Sequence, residues 1–234
     1  MTNKPGQISI CRAALIAGFS ILIIAFIAPL TELFVYPKLV NLSNAAETVR
    51  NITSNKMLFV SVIFGYLLTF SGDIVVSWAL YIFLEPVNKS LSLLAAWFRL
   101  VFAIMALIAL LNLVNIFRLL TDPEYLTLFG EKLVYAEVML YLITFKSSYH
   151  FGILFFSVHL ILLGYLVIKS DYIPKFMGLL LLVCGLGYLT DALKPFLFPD
   201  MNLKFISITF FGELIFMLWL LIKGPRLKGE SQKQ

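Results

Sequence analysis

The sequence predicts an all-α integral membrane bundle of six transmembrane helices, with both termini cytoplasmic, in a single domain over residues 1–234. Three observations predict it. Apolar residues make up 61% of the chain and charged residues only 13%, about half the charged share of a soluble domain. The mean hydropathy is +0.95. Six apolar runs also reach, or nearly reach, the roughly 20 residues that a helix needs to cross a bilayer core. A soluble fold this apolar could not cover its surface with polar groups, so the expected partner is the lipid bilayer. The net charge of +5 does not point to nucleic acid, because the basic residues are scattered between hydrophobic runs with no aromatic-laced basic patch. Cys11 and Cys184 lie far apart, in or beside apolar runs, and read as small hydrophobes rather than a disulfide framework.

The runs are 13–30, 57–84, 91–117, 148–168, 176–193 and 205–222. In lipid every backbone polar group must pair within its own segment, which makes each run a helix. The alternating segments of a β-barrel are absent. The first run lacks a small-residue cleavage site and is followed by Pro29, Glu32 and Phe34, so it reads as a retained helix rather than a signal peptide. The second and third runs exceed the bilayer and are expected to tilt or project. Only the turn Glu85-Pro86-Val87-Asn88-Lys89-Ser90 joins them, so they form an antiparallel hairpin. Two long connections carry structure of their own. Residues 43–55 read as a short polar helix, with Asn44 and Glu47 at capping-box spacing. Residues 131–145 set Glu131, Lys132 and Glu137 beside Leu133, Val134, Val138, Leu142 and Phe145, the pattern of an amphipathic helix lying at the outer membrane interface.

Loops on the side of the termini (1–12, 85–90, 169–175, 223–234) hold nine Lys/Arg in 37 residues. The opposite loops (31–56, 118–147, 194–204) hold eight in 67. The positive-inside rule therefore places both termini in the cytoplasm. Trp78, Trp97 and Trp219 fall near the cytoplasmic helix ends, where indole rings favour the headgroup region.

The ionisable residues inside the runs are the candidates for function. A charge at the bilayer centre costs about 2.5–3.5 kcal/mol on insertion scales, so it needs a partner or a purpose. Counting about 1.5 Å of rise per residue from the cytoplasmic ends, Asp73, Arg99, His159 and Glu213 share one level near the midplane. They are predicted to form an intramembrane polar site, with Asp73 and Arg99 paired across the hairpin. Small or polar residues recur every four positions at Ser61, Gly65, Thr69, Asp73 and Ser77, a spacing that lets helices pack closely. A second, outer polar cluster is expected from Asn112, Asn115, His150 and Asp191.

Such a site suits a proton, an ion or a small polar or amphiphilic molecule. Two other readings stand beside it. In one, the buried charges only fix packing in a non-catalytic subunit, sensor or stress-response accessory. In the other, the chain is an intramembrane enzyme acting on lipid or peptide. No His-Glu-x-x-His, Cys-x-x-Cys or Gly-x-Ser-x-Gly occurs, and Gly185-Leu186-Gly187 inside an apolar run reads as packing. No catalytic residue, metal ligand or cofactor is therefore assigned, and no protein partner.

An ordered set of strings carries a resemblance: Glu32-Leu33-Phe34-Val35, Glu85 to Leu91, Ala95-Ala96-Trp97-Phe98-Arg99-Leu100, Gly164-Tyr165-Leu166, Tyr172-Ile173-Pro174-Lys175, Gly185 to Asp191, and Gly212-Glu213 ending at Lys223-Gly224. Over residues 12–224 the chain resembles a family of bacterial polytopic membrane proteins known as domain of unknown function 4386. The resemblance implies a multi-pass protein of the bacterial cytoplasmic membrane, with no activity attached. It also implies that Asp73, the pair Phe98-Arg99, His159 and the pair Gly212-Glu213 match residues typical of the family.

Overall fold

The computed structural model describes residues 8–197 and 211–227. Among the described residues every regular element is helical and there is no strand. Helix α1 (Ile10–Pro29) runs through a π-helical segment (Leu30–Val35) into the short α2 (Tyr36–Leu39). Then come α3 (Ala45–Ser54), α4 (Lys56–Leu84), α5 (Lys89–Thr121), α6 (Pro123–Lys169), α7 (Lys175–Leu197) and α8 (Phe211–Ile222), and a 3-10 turn at Gly224–Arg226. Five helical stretches are long and apolar enough to cross a membrane: Ile10–Leu39, Lys56–Leu84, Lys89–Thr121, Thr127–Lys169 and Lys175–Leu197. Of the expected sixth run, residues 205–210 lie outside the described residues, and α8 supplies the rest. The terminal basic residues Lys4, Lys228 and Lys233 also lie outside them.

Large apolar side chains cover the outside. Phe26 is 71% exposed and Met57 79%, an arrangement suited to lipid rather than water.

Local chemistry explains the helix ends. Neither Pro29 nor Pro37 has an N–H, so the α ladder lacks a donor at each. Between them the register widens, and the Tyr36 N–H reaches back to the Thr31 carbonyl, the five-residue step of a π-helix. The helix expected to stop near residue 30 therefore continues to Leu39. Asn44 caps α3 by accepting from the Glu47 N–H at 3.0 Å, as the capping-box spacing predicts. The Glu47 carboxylate does not return to the cap. It accepts from Asn41 Nδ2 at 2.8 Å instead. Asn88 starts α5 by accepting from the Leu91 N–H at 2.9 Å.

The stretch that reads as an interfacial helix followed by a separate span is organised differently. Residues 131–145 and 148–168 lie on one unbroken length of α6. The break comes earlier, at Gly130, whose φ of 72° and ψ of 157° belong to a region essentially reserved for glycine. Nothing between 145 and 148 interrupts the ladder, because Lys146, Ser147 and Ser148 are not helix breakers.

Cα packing divides the chain into two compact units, and the division falls within helices. One unit holds Met1–Ile23, Gly72–Phe102 and Ile153–Gln234; the other holds Ile24–Ser71 and Ala103–Gly152. The second unit has a large apolar core that includes Leu39, Ile52, Phe59, Phe70, Leu113, Ile116 and Phe145. Val134, Val138, Leu142 and Phe145, the apolar stripe expected at the membrane surface, are buried in this core. The spacing of four, four and three residues places them on one helix face, and that face packs on protein.

The first unit is tied by close helix contacts. A Cβ on Gly164 would come within 2.7 Å of the Gly178 carbonyl oxygen, and one on Gly178 within 2.6 Å of the Gly164 carbonyl oxygen. Only glycine at both positions lets α6 and α7 cross with their backbones this close. The α4–α5 hairpin is bonded at successive levels. Ser92 Oγ donates to the Tyr81 carbonyl at 2.9 Å, and Ser77 Oγ donates to the Ala96 carbonyl at 2.6 Å. The Tyr172 hydroxyl, in the α6–α7 connection, donates to the Phe83 carbonyl at 2.6 Å, and burial pushes its pKa up, which keeps it a donor.

Candidate functional site

The next level of the α4–α5 hairpin after Ser77 and Ala96 brings Asp73 against Arg99. Four positions separate Asp73 from Ser77 on α4, so the two share a face. Arg99 holds a single carboxylate oxygen with two donors: Nε to Asp73 Oδ1 at 2.9 Å and Nη2 to the same oxygen at 2.6 Å. Its Nη1 donates to Glu213 Oε1 of α8 at 3.2 Å. The same Nη1 lies 3.3 Å from His159 Nε2 of α6. Four helices of one unit thus meet at one guanidinium, and the other three predicted residues, Asp73, His159 and Glu213, are its partners.

The imidazole tautomer follows from its neighbours. His159 Nδ1 lies 2.8 Å from the Ala95 carbonyl, which can only accept, so Nδ1 carries the hydrogen. Arginine has no acceptor, so Nε2 must accept from Nη1. Both ring nitrogens are engaged. Phe156, one turn before His159, lies with its ring centroid 5.1 Å from the Arg99 guanidinium carbon, a cation–π contact. The cluster is sealed: Asp73 is 4% exposed, Arg99 2%, His159 1% and Glu213 7%. One guanidinium faces two carboxylates, so with both ionised and the imidazole neutral the cluster has a formal charge of −1.

The residues of the predicted outer cluster belong to both units. Asn112, Asn115 and His150 fall in one unit and Asp191 in the other. Asn112 turns back on its own helix and donates to the Ala109 carbonyl at 2.9 Å, while Asn115 is exposed. Ser61, the first residue of the small-residue stripe on α4, is exposed as well and donates to the Leu58 carbonyl at 2.7 Å. Thr69, Asp73 and Ser77 of that stripe are buried.

A second polar cluster, in the other unit, escaped the sequence reading. Glu32, on the π-helical segment, accepts from Lys146 of α6 through one carboxylate oxygen and from the Tyr66 hydroxyl of α4 through the other. The Lys146 ammonium lies 4.3 Å from the centroid of the Tyr36 ring. Both charges lie just outside the apolar runs 13–30 and 148–168. A charged residue that finds its counter-charge on a neighbouring helix need not mark a helix end.

Nothing in either cluster is arranged as a metal site: among the described residues no three His, Cys, Asp or Glu side chains group as ligands. Both nitrogens of His159 are occupied, by the Ala95 carbonyl and by Arg99. Ser77 and Ser157, the nearby serines, donate to the carbonyls of Ala96 and Leu154.

The profile of the family described as Domain of unknown function (DUF4386) matches residues 16–224. The chain belongs to this family. The match spans all four helices of the ion cluster. The chain is also similar to an uncharacterized protein of Archaeoglobus fulgidus, with 34% identity over 165 residues, which cover 70% of this chain and 85% of that protein. No solved structure matches the chain.

Proposed function

We propose that this DUF4386 protein is a six-span protein of the cytoplasmic membrane with both termini cytoplasmic, and that its working centre is the Asp73–Arg99–His159–Glu213 cluster, a site that takes up a proton. The Lys/Arg asymmetry and the tryptophan positions support the orientation. One observation carries the functional reading: two carboxylates from different helices share one guanidinium, which leaves a formal negative charge in a sealed apolar interior. An unpaired charge there is costly. A proton is the smallest species that removes it, and both carboxylates are chemically able to accept one. Because the carboxylates sit on α4 and α8, binding of a proton would shift the share of Arg99 held by each helix. That gives a means of coupling protonation to helix position.

A purely structural role is the second reading, and the sealing of all four head groups favours it. The two separate on Glu213→Gln, which keeps the shape and removes the titrating group. Infrared difference spectra of the protein in lipid should contain a protonated-carboxyl band that titrates in the wild type and vanishes in Glu213→Gln. The stability–pH curves of the two proteins in detergent should diverge, because their difference counts the protons bound by that residue on folding. Coincident curves with no titrating band would leave the cluster as packing alone.

A further inference from the structure

The unit formed by Ile24–Ser71 and Ala103–Gly152 contains an open cavity of about 540 Å³ that none of the ion-cluster residues lines. That is within the roughly 300–1,000 Å³ of ordinary small-molecule sites. It lies between α3, the end of α5 and the part of α6 just past the Gly130 break. Its lining combines Arg50 and Glu47 of α3 with Glu131 and Tyr135 of α6, over an apolar floor that includes Val49 and Leu120.

The charges in this cavity do not satisfy one another. Among the described residues neither Arg50 nor Glu131 takes part in an ion pair, although both line the same space and both are exposed. Glu47 is committed to Asn41 at 2.8 Å, and α3 is held in place by the Asn44 cap and by the Asn41–Thr48 bonds at 2.8 and 2.9 Å. The walls are therefore fixed while one cation and one anion face a possible ligand.

A ligand that is only anionic would meet Glu131 and Glu47. One that is only cationic would meet Arg50. The lining matches a molecule that carries both charges. The level of the cavity indicates which kind. Leu120 is next to the last residue of the apolar helix Lys89–Thr121, and Glu131 lies in the first turns of the apolar stretch Thr127–Lys169. Ends of spanning helices lie among lipid headgroups, where tyrosine is also favoured.

We infer that the cavity binds a zwitterionic phosphoamine headgroup, with its phosphate on Arg50 and its primary ammonium on Glu131. Guanidinium is well suited to phosphate through paired, charge-assisted hydrogen bonds. The Tyr135 ring and the apolar floor would receive the uncharged backbone that follows the phosphate. The same chemistry is offered by phosphatidylethanolamine in the bilayer and by its soluble headgroup.

The test uses full-length, delipidated protein in detergent. Glycerophosphoethanolamine, short-chain phosphatidylethanolamine, short-chain phosphatidylglycerol and inorganic phosphate are titrated in turn, and the melting temperature is followed. A ligand bound only by the folded state raises it in proportion to occupancy. The two ethanolamine probes should stabilise the protein and the other two should not. Arg50→Gln and Glu131→Gln should each weaken the ethanolamine probes by about tenfold or more, the size of one charge-assisted hydrogen bond. Lys132→Gln, an exposed neighbour outside the cavity, should leave them unchanged. All three positions are exposed, so folding survives the change. Tighter binding of the lipid than of the headgroup identifies the membrane as the source, and equal binding identifies a soluble compound. The inference is overturned if neither ethanolamine probe stabilises the protein, if inorganic phosphate or phosphatidylglycerol stabilises it equally, or if the effect persists in both cavity variants.

Discussion

Removing Arg99 should be far more damaging than removing either carboxylate it holds. In Arg99→Leu two buried carboxylates lose their shared counter-charge, and the cluster goes from a formal −1 to −2. Breaking a buried ion pair in this way typically costs about 3–5 kcal/mol. Glu213→Gln acts in the opposite sense. It removes one bond of 3.2 Å but leaves Arg99 and Asp73 as a neutral pair, still joined at 2.6 and 2.9 Å. The amide oxygen can keep accepting from Nη1. The expected loss is about 1 kcal/mol, that of weakening one hydrogen bond. Asp73→Asn should fall between them, because Arg99 keeps Glu213 while its two shorter bonds are weakened to bonds with a neutral amide oxygen. The double variant Arg99→Leu/Asp73→Asn should recover about 1–3 kcal/mol of the sum of the single losses, the coupling expected of residues in direct contact. Equilibrium unfolding in mixed micelles measures all four values. If Glu213→Gln costs as much as Arg99→Leu, the charge count is wrong. If the double variant shows no recovery, Asp73 and Arg99 are not coupled as their geometry requires.

Two glycines give further tests by the same unfolding assay. Gly164→Val places side-chain atoms against the Gly178 backbone, where a Cβ alone would already stand 2.7 Å from a carbonyl oxygen; the neighbour is main chain and cannot rotate away, so a loss of about 1–3 kcal/mol is expected. Gly130→Ala meets no atom within 4 Å, so any cost comes from the backbone alone. At φ 72° and ψ 157° that cost is about 1–3 kcal/mol, and retention of full stability would mean that the α6 break relaxes freely.

How much of this was legible in advance differs from feature to feature. The family and the helical class were readable, the first from ordered strings and the second from composition. The membership of the ion cluster followed from asking which ionisable residues sat deep in apolar runs. The hairpin around Glu85 to Ser90 then gave Asp73 and Arg99 their common level. The Glu32–Lys146 pair was missed by the same logic, because both charges lie just outside the apolar runs 13–30 and 148–168. Its signal was nonetheless in the sequence: Lys146 interrupts an apolar stripe that resumes within a few residues, and Glu32 is followed by Leu33, Phe34 and Val35.

The sequence by itself determined that the chain is a set of long apolar helices, and which ionisable residues lie far from the ends of its apolar runs. Both are properties of a single helix in lipid: transfer free energy adds along a window, and depth is counted by rise per residue. Only the tertiary structure decided which charges meet. That depends on the rotation of each helix about its axis and on the neighbour it faces, and residues of equal depth can point in opposite directions. Rotation brought His159 and Glu213 to the same guanidinium, turned Asn112 onto its own helix, and buried the stripe from Val134 to Phe145 in protein. Glycines on facing helices set how near those neighbours could come.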